Sequence, residues 1–123
     1  LRAARIGGVA ASRGFSDRLL VPFPFSDLSQ AKLRPAVVLA DAGRGDWVLC
    51  QITSNPYGDA RSVTLTDADL AAGSLRVVSY ARPGKLFTAN RELLSAELGA
   101  LRRETFRRLV RAVVDLLECA LAR

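Results

Sequence analysis

Histidine and methionine are absent from this 123-residue chain, and cysteine occurs only twice. Without histidine, neither a nucleophile–histidine triad nor acid–base catalysis by an imidazole pair is open to it. Two cysteines and no histidine also leave no set of residues at zinc-ligand spacing, so no metal site and no cofactor are expected. Cys50 and Cys119 fall in a strand pattern and a helix pattern, and both are read as buried free thiols rather than a disulfide. No apolar run approaches the ~20 residues that cross a bilayer, which gives no expectation of membrane contact. Residues 6–11 are too short for a signal-peptide core. The chain starts on leucine; residues 1–14 read as a loose leader to a cytoplasmic protein, with a single domain over 15–123.

What is present fits an ordinary globular domain: 50% of residues are apolar and 24% charged, which argues against disorder. The net charge of +6 points to an anionic partner, but it is unevenly spread. Residues 1–17 carry +2, residues 18–101 carry +1 and residues 102–123 carry +3. Any nucleic-acid contact must therefore come from individual arginines rather than from a uniformly basic domain.

The chain is organised around residues 19–40, LLVPFPFSDLSQAKLRPAVVLA. An extended first run puts Val21, Phe23 and Phe25 on one face and Pro22 and Pro24 on the other, the pattern of an edge strand. A polar loop over 26–33 leads to Arg34-Pro35, and residues 36–40 are apolar throughout, as in a strand covered on both sides. Pro35 biases Arg34 towards an extended backbone, holding its guanidinium at the mouth of the strand. That placement suits either a strand-edge salt bridge or an anionic ligand. Residues 47–53 alternate, with Val48, Cys50 and Ile52 on one face and Trp47, Leu49, Gln51 and Thr53 on the other. NPYGD at 55–59 is a turn signal. Residues 67–73 suggest a helical turn ended by glycine, 75–80 a strand, Pro83-Gly84 a turn, and 85–88 a short strand. From Arg103 the period becomes helical, with Phe106, Leu109, Val110, Val113, Leu117 and Leu121 on a core-facing stripe. Arg103, Arg107 and Arg111 form a ridge on another face, read as solvated, and Glu104–Arg108 and Arg111–Asp115 are spaced as helix ion pairs. Many short strands with Gly/Pro turns and a terminal helix predict a mainly β fold, a small barrel or sandwich.

The run VPFPFSDLSQAKLRPAVVLA, followed by CQITS at 50–54, KLFT at 85–88 and a terminal helix, resembles the PemK/MazF family of toxin–antitoxin toxins over roughly residues 17–117. The resemblance implies a small SH3-like barrel with a C-terminal helix, assembled as a homodimer. It implies a toxin acting as a metal-independent, sequence-specific endoribonuclease on single-stranded RNA. The 2′-hydroxyl would attack its own 3′-phosphate, leaving a 2′,3′-cyclic phosphate and a 5′-hydroxyl, which requires in-line geometry and cations around the phosphorane. Arg34 and Thr53 match the family's functional arginine and threonine, and Gln30 a loop glutamine. Lys32, Ser54, Arg82 and Lys85 join them as expected substrate contacts. A labile antitoxin with an acidic, disordered segment is the implied protein partner, the pair together binding DNA. The sequence departs from better-known members where Ser29 replaces an acidic residue and where a strand arginine and aspartate fall on Ser79 and Ala81. Asp27 and Asp59 are then the nearest acids for a general base. The competing expectation is a toxin of the same fold that acts by protein contact, like the CcdB gyrase poisons.

Overall fold

The computed structural model describes residues 18–26, 31–94 and 96–122, and of residues 25, 26, 31 and 32 the backbone alone. The expected leader, Asp27, Ser29, Gln30 and the side chain of Lys32 lie outside the described residues. Among the described residues, seven strands and one α-helix follow in order: β1 (Leu19–Ser26), β2 (Ala31–Gly43), β3 (Asp46–Thr53), β4 (Val63–Leu65), β5 (Leu70–Gly73), β6 (Ser79–Asn90), β7 (Gly99–Leu101) and α1 (Arg103–Leu121). All pairings are antiparallel, in the spatial order β4-β6-β3-β2-β1-β7-β5, and the sheet curls into a half-barrel. The fold is thus mainly β with a C-terminal helix, as the sequence leads one to expect.

Alternation along the central strands divides their side chains between two cores. Leu20, Val37, Cys50, Ile52, Ala81 and Leu101 face one side, where Leu109 of α1 packs onto them. Val21, Ala36, Val38, Trp47, Leu49 and Ala89 face the other, with Phe23 and Phe87 against them at 4.5 Å between ring centroids. Both sides of β2 and β3 are therefore dry, which is why their sequences are nearly continuous in apolar residues. Burial pushes the Cys50 thiol up to about 12, so it stays protonated at neutral pH and donates to the Arg82 carbonyl at 3.1 Å. Cys119, by contrast, is exposed near the end of α1 and accepts from the Arg61 guanidinium at 3.4 Å.

Several expectations are corrected. The hairpin loop is shorter than 26–33, because pairing runs to Ser26↔Ala31. β1 is an edge strand only in its second half: β7 pairs with Leu19 and Leu20, leaving Pro22 and Pro24 beyond the ladder on that side. The turn and two strands read over 75–88 are one strand from Ser79. Pairing jumps from Cys50↔Leu86 to Ile52↔Ala81, so residues 82–85 bulge out and accommodate Pro83 inside a central strand. Residues 67–73 are a 3-10 turn followed by β5, not a turn of α-helix. The stripe of α1 is buried only as far as Val113; Leu117 and Leu121 are exposed.

The helix is fixed at its start by one carboxylate. Asp69 accepts from the Thr66 N–H at 2.9 Å, from the Thr105 hydroxyl at 2.9 Å and from the Arg108 guanidinium at 3.1 Å. Burial raises the Asp69 pKa, and these donors outweigh it and hold the carboxyl below the ordinary range. Arg108 thus reaches across to Asp69 rather than back along the helix to Glu104.

β5 and β7 approach so closely that only glycine fits between them. Gly73 has φ +83°, and a Cβ there would collide with the Leu98 carbonyl oxygen and the Gly99 Cα. Gly43, at φ +89°, has open space around it. Gly73→Ala should therefore destabilise the protein by several kcal/mol, whereas Gly43→Ala should cost only the ~1–2 kcal/mol of a left-handed residue. Urea unfolding of both variants, with equal losses, would refute a steric role for Gly73.

Candidate functional site

The site lies where β2 and β3 part. Their ladder ends at Ala36↔Gln51, although continuing its register would set Pro35 across from Ile52 and Arg34 across from Thr53. Pro35 has no N–H to extend a ladder and is opposed by Pro22 on β1, so the pairing stops where the sequence predicts restriction. A cleft of about 350 Å³ opens at this point, lined by Arg34, Thr53, Ser54, Ser79, Arg76 and Leu98 among others. Thr53 is buried at the base, and its hydroxyl oxygen accepts the Asn55 N–H at 3.1 Å, leaving the hydroxyl proton free to donate. Arg34 is half-buried. It makes no ion pair among the described residues.

The far wall is the segment between β5 and β6, held in shape by Asp67. That carboxylate accepts the Leu75 N–H at 2.8 Å and the Ser74 hydroxyl at 3.4 Å. At the other end the Ser79 hydroxyl donates to the Val77 carbonyl at 2.9 Å. Between these anchors stands Arg76, exposed and turned to the same cleft as Arg34. Sequence reasoning missed it. Residues 75–80 alternate like a strand, and nothing in that pattern marks Arg76 as different from its neighbours. Ser79, where the resemblance leads one to expect a strand arginine, is buried in the cleft lining, and Arg76 lines the same cleft three residues earlier.

Arg34, Thr53 and Ser54 are thus brought together. Arg82 and Lys85 are placed on the bulge of β6, outside the cleft lining. Arg82 is bonded to Asp59 through Nε–Oδ2 at 3.1 Å and lies over the Tyr57 ring, 5.4 Å from its centroid. Asp59 is also outside the lining. The Arg61 backbone N–H, at 3.0 Å, and the Arg82 guanidinium hold its carboxyl below the ordinary range, which makes it a weak base. A larger open groove of about 970 Å³ runs between β4 and α1, bounded by Phe106, Val110, Arg107 and Arg111. It shares no residue with the cleft, and its hydroxyls and cations, Ser62, Thr64, Arg107, Arg108 and Arg111, are accompanied by the Asp115 carboxylate. Among the described residues there is no cluster of potential metal ligands, and no helix is long and apolar enough to cross a membrane.

The family profile of the PemK-like, MazF-like toxins of type II toxin–antitoxin systems matches residues 19–117, which includes every lining residue of the cleft. The chain belongs to this family. Solved structures agree on the fold. The MazE–MazF complex of Deinococcus radiodurans (Form-III) superposes with a TM-score of 0.65 at 21% identity, over 81% of this chain and 92% of that one. The Mycobacterium tuberculosis toxin MazF-mt6 gives 0.61 at 20% identity, over 82% and 96%. An endoribonuclease in complex with its cognate antitoxin, from a mycobacterial species, gives 0.62 at 15% identity, over 83% and 91%. No curated protein sequence matches the chain. At these identities the structures establish the shared MazF-like architecture, and the chemistry must be argued from this chain's own cleft.

The ion pair beside that cleft gives a pH test. Asp59 has a folded pKa below its unfolded value of ~3.9, so its contribution is complete above that value and lost as pH falls through the folded pKa. Asp59→Asn should cost about 1–2 kcal/mol at neutral pH, and the gap to wild type should close as the pH falls below ~4. A gap that is constant from pH 6 to ~2.5 in urea melts would show that the charge of Asp59 does not matter.

Proposed function

We propose that this toxin is a metal-independent, sequence-specific endoribonuclease acting on single-stranded RNA, and so an inhibitor of translation and growth. The observation that carries the reading is the convergence of Arg34 and Arg76 on one cleft floored by the Thr53 hydroxyl, with no carboxylate in its described lining. Two guanidinium groups there match a phosphodiester, because each can grip two phosphate oxygens. A metal-dependent nuclease would need carboxylate ligands in the same place. The 2′-oxygen attacks the phosphorus in line and the bond to the 5′-oxygen breaks. The 2′-hydroxyl gives up its proton, and the leaving 5′-oxygen gains one. Arg34 and Arg76 offset the charge that develops on the phosphorane, and the Thr53 hydroxyl donates to one of its oxygens. The family supports the toxin reading, and two of the similar structures are described as complexes with MazE or with a cognate antitoxin. An antitoxin with an acidic segment suits the same two cations.

Cleavage of a long single-stranded RNA in EDTA, with end-mapping of the products, tests the reading. The 2′,3′-cyclic phosphate and 5′-hydroxyl ends are expected. Arg34→Ala and Arg76→Ala should each slow single-turnover cleavage by about 10²–10³. Arg34→Lys should recover only part of that loss, and Thr53→Val should show a smaller defect. Binding of a 2′-deoxy analogue should fall much less, since these contacts strengthen in the transition state. A folded Arg34→Ala protein with full activity would remove Arg34 from the chemistry. No cleavage by the wild type would favour a toxin that works by protein contact.

The assembly proposed is a homodimer. Leu117 and Leu121 continue the apolar stripe of α1 past the body of the sheet, 60% and 83% exposed in the single chain. Sedimentation equilibrium at micromolar concentration should give twice the chain mass; a monomer there would rule out a cleft shared between two copies.

A further inference from the structure

The turn leaving the cleft carries a tyrosine where folding alone favours a smaller residue. Asp59 N–H closes on the Pro56 carbonyl at 2.9 Å, and both residues between them have positive φ, +55° for Tyr57 and +71° for Gly58. Turns of this backbone favour Asn, Asp or Gly at the first central position, and a bulky aromatic there is strained. Burial does not offset that strain, because Tyr57 is 63% exposed. The conformation is enforced from the cleft side. Thr53 Oγ accepts the Asn55 N–H at 3.1 Å, and Asn55 Oδ1 in turn accepts the Tyr57 N–H at 2.9 Å. One side of the ring is backed by the Arg82 guanidinium, itself locked to Asp59. Strained residues held in this way are characteristic of ligand clamps.

We propose that Tyr57 is a stacking platform for a nucleobase next to the scissile step, with Arg82 as the cationic backing that fixes the ring. The proposal rests on the RNA-cleaving reading of the cleft and adds a residue that governs which base sits beside it. Tyr57 follows Thr53 by four residues, a span of at most ~14 Å, within reach of a neighbouring nucleotide of the strand in the cleft. Aromatic side chains accept any base on a π-face, and a guanidinium on the opposite face reinforces the stack. Arg82 thus acts as a positioning residue through the tyrosine rather than as a phosphate contact.

The test uses the full chain and a labelled single-stranded oligonucleotide covering the mapped cut site, 2′-deoxy at the cut and abasic at one flanking position at a time. Tyr57→Gly relieves the backbone, so its melting temperature should equal or exceed that of wild type, yet its affinity should fall roughly 10- to 100-fold. Tyr57→Phe should keep the affinity. One abasic position should weaken wild type by a similar factor and should weaken Tyr57→Gly little further. Tyr57→Gly binding as tightly as wild type, or responding to every abasic position as wild type does, would overturn the platform. Cleavage separates the two levels of the argument. A wild type that cuts RNA while Tyr57→Gly binds normally refutes Tyr57 alone, whereas a folded wild type that neither binds nor cuts refutes the cleft's reading and this proposal together.

Discussion

The candidate site depends on a backbone constraint, the end of the β2–β3 ladder at Ala36↔Gln51. Were the strands zipped two residues further, Arg34 and Thr53 would face each other within a continuous sheet. Proline at position 35 supplies no donor, and its partner on β1 is a second proline, Pro22. β3 meanwhile turns to a different stretch of β6, where Ile52↔Ala81 and Thr53↔Tyr80 resume pairing after the bulge. The gap between β2 and β3 is therefore a consequence of two local features, one proline and one bulge, and the dry core on either side keeps it from collapsing. A residue at a parted ladder keeps its strand geometry while gaining an open side. That combination gives a rigidly placed functional group with access to ligand.

Two aspartates two residues apart divide the work of holding the surroundings. Asp67 fixes the β5–β6 segment through the Leu75 N–H, which places Arg76. Asp69 holds the start of α1 through Thr105 and Arg108. Both use charge-assisted hydrogen bonds, which contribute more than neutral ones where solvent is partly excluded. Thr66 closes a capping box with Asp69, so the short 3-10 turn carrying both acids is itself pre-formed. The cleft wall and the helix docking are thus coupled through three residues.

Sequence alone made the central strands legible, because their alternation is strict: Cys50 and Ile52 do face one core, Trp47 and Leu49 the other. The helix was legible for the same reason, from Phe106 to Val113. What failed was whatever depends on a neighbour. Pro83-Gly84 is a turn by local chemistry, and only the register of β3 makes it a bulge. Leu117 and Leu121 keep the helical period after the sheet beneath them ends. Cys119 shares that fate and is exposed where burial was expected. Arg34 and Thr53 stood out because they end recognisable strands, and the R-P step and the CQITS run carried the family resemblance. Arg76 gave no such signal; its placement follows from Asp67, nine residues earlier, through hydrogen bonds to Ser74 and Leu75 that no periodicity records. Asp59 and Arg82, each a separate candidate by sequence, are committed to one another instead.

That last pairing bears on the charge of the cleft. Residues 18–101 are close to neutral overall, so the potential around the site is set by how their charges are partnered rather than by how many there are. Arg82 is neutralised by Asp59, and Arg108 by Asp69. Arg34 and Arg76 instead share a cleft of about 350 Å³ whose described lining contains no carboxylate. Neither guanidinium is held in an ion pair among the described residues. An anion entering the cleft would therefore meet two cations and no opposing carboxylate in its described lining.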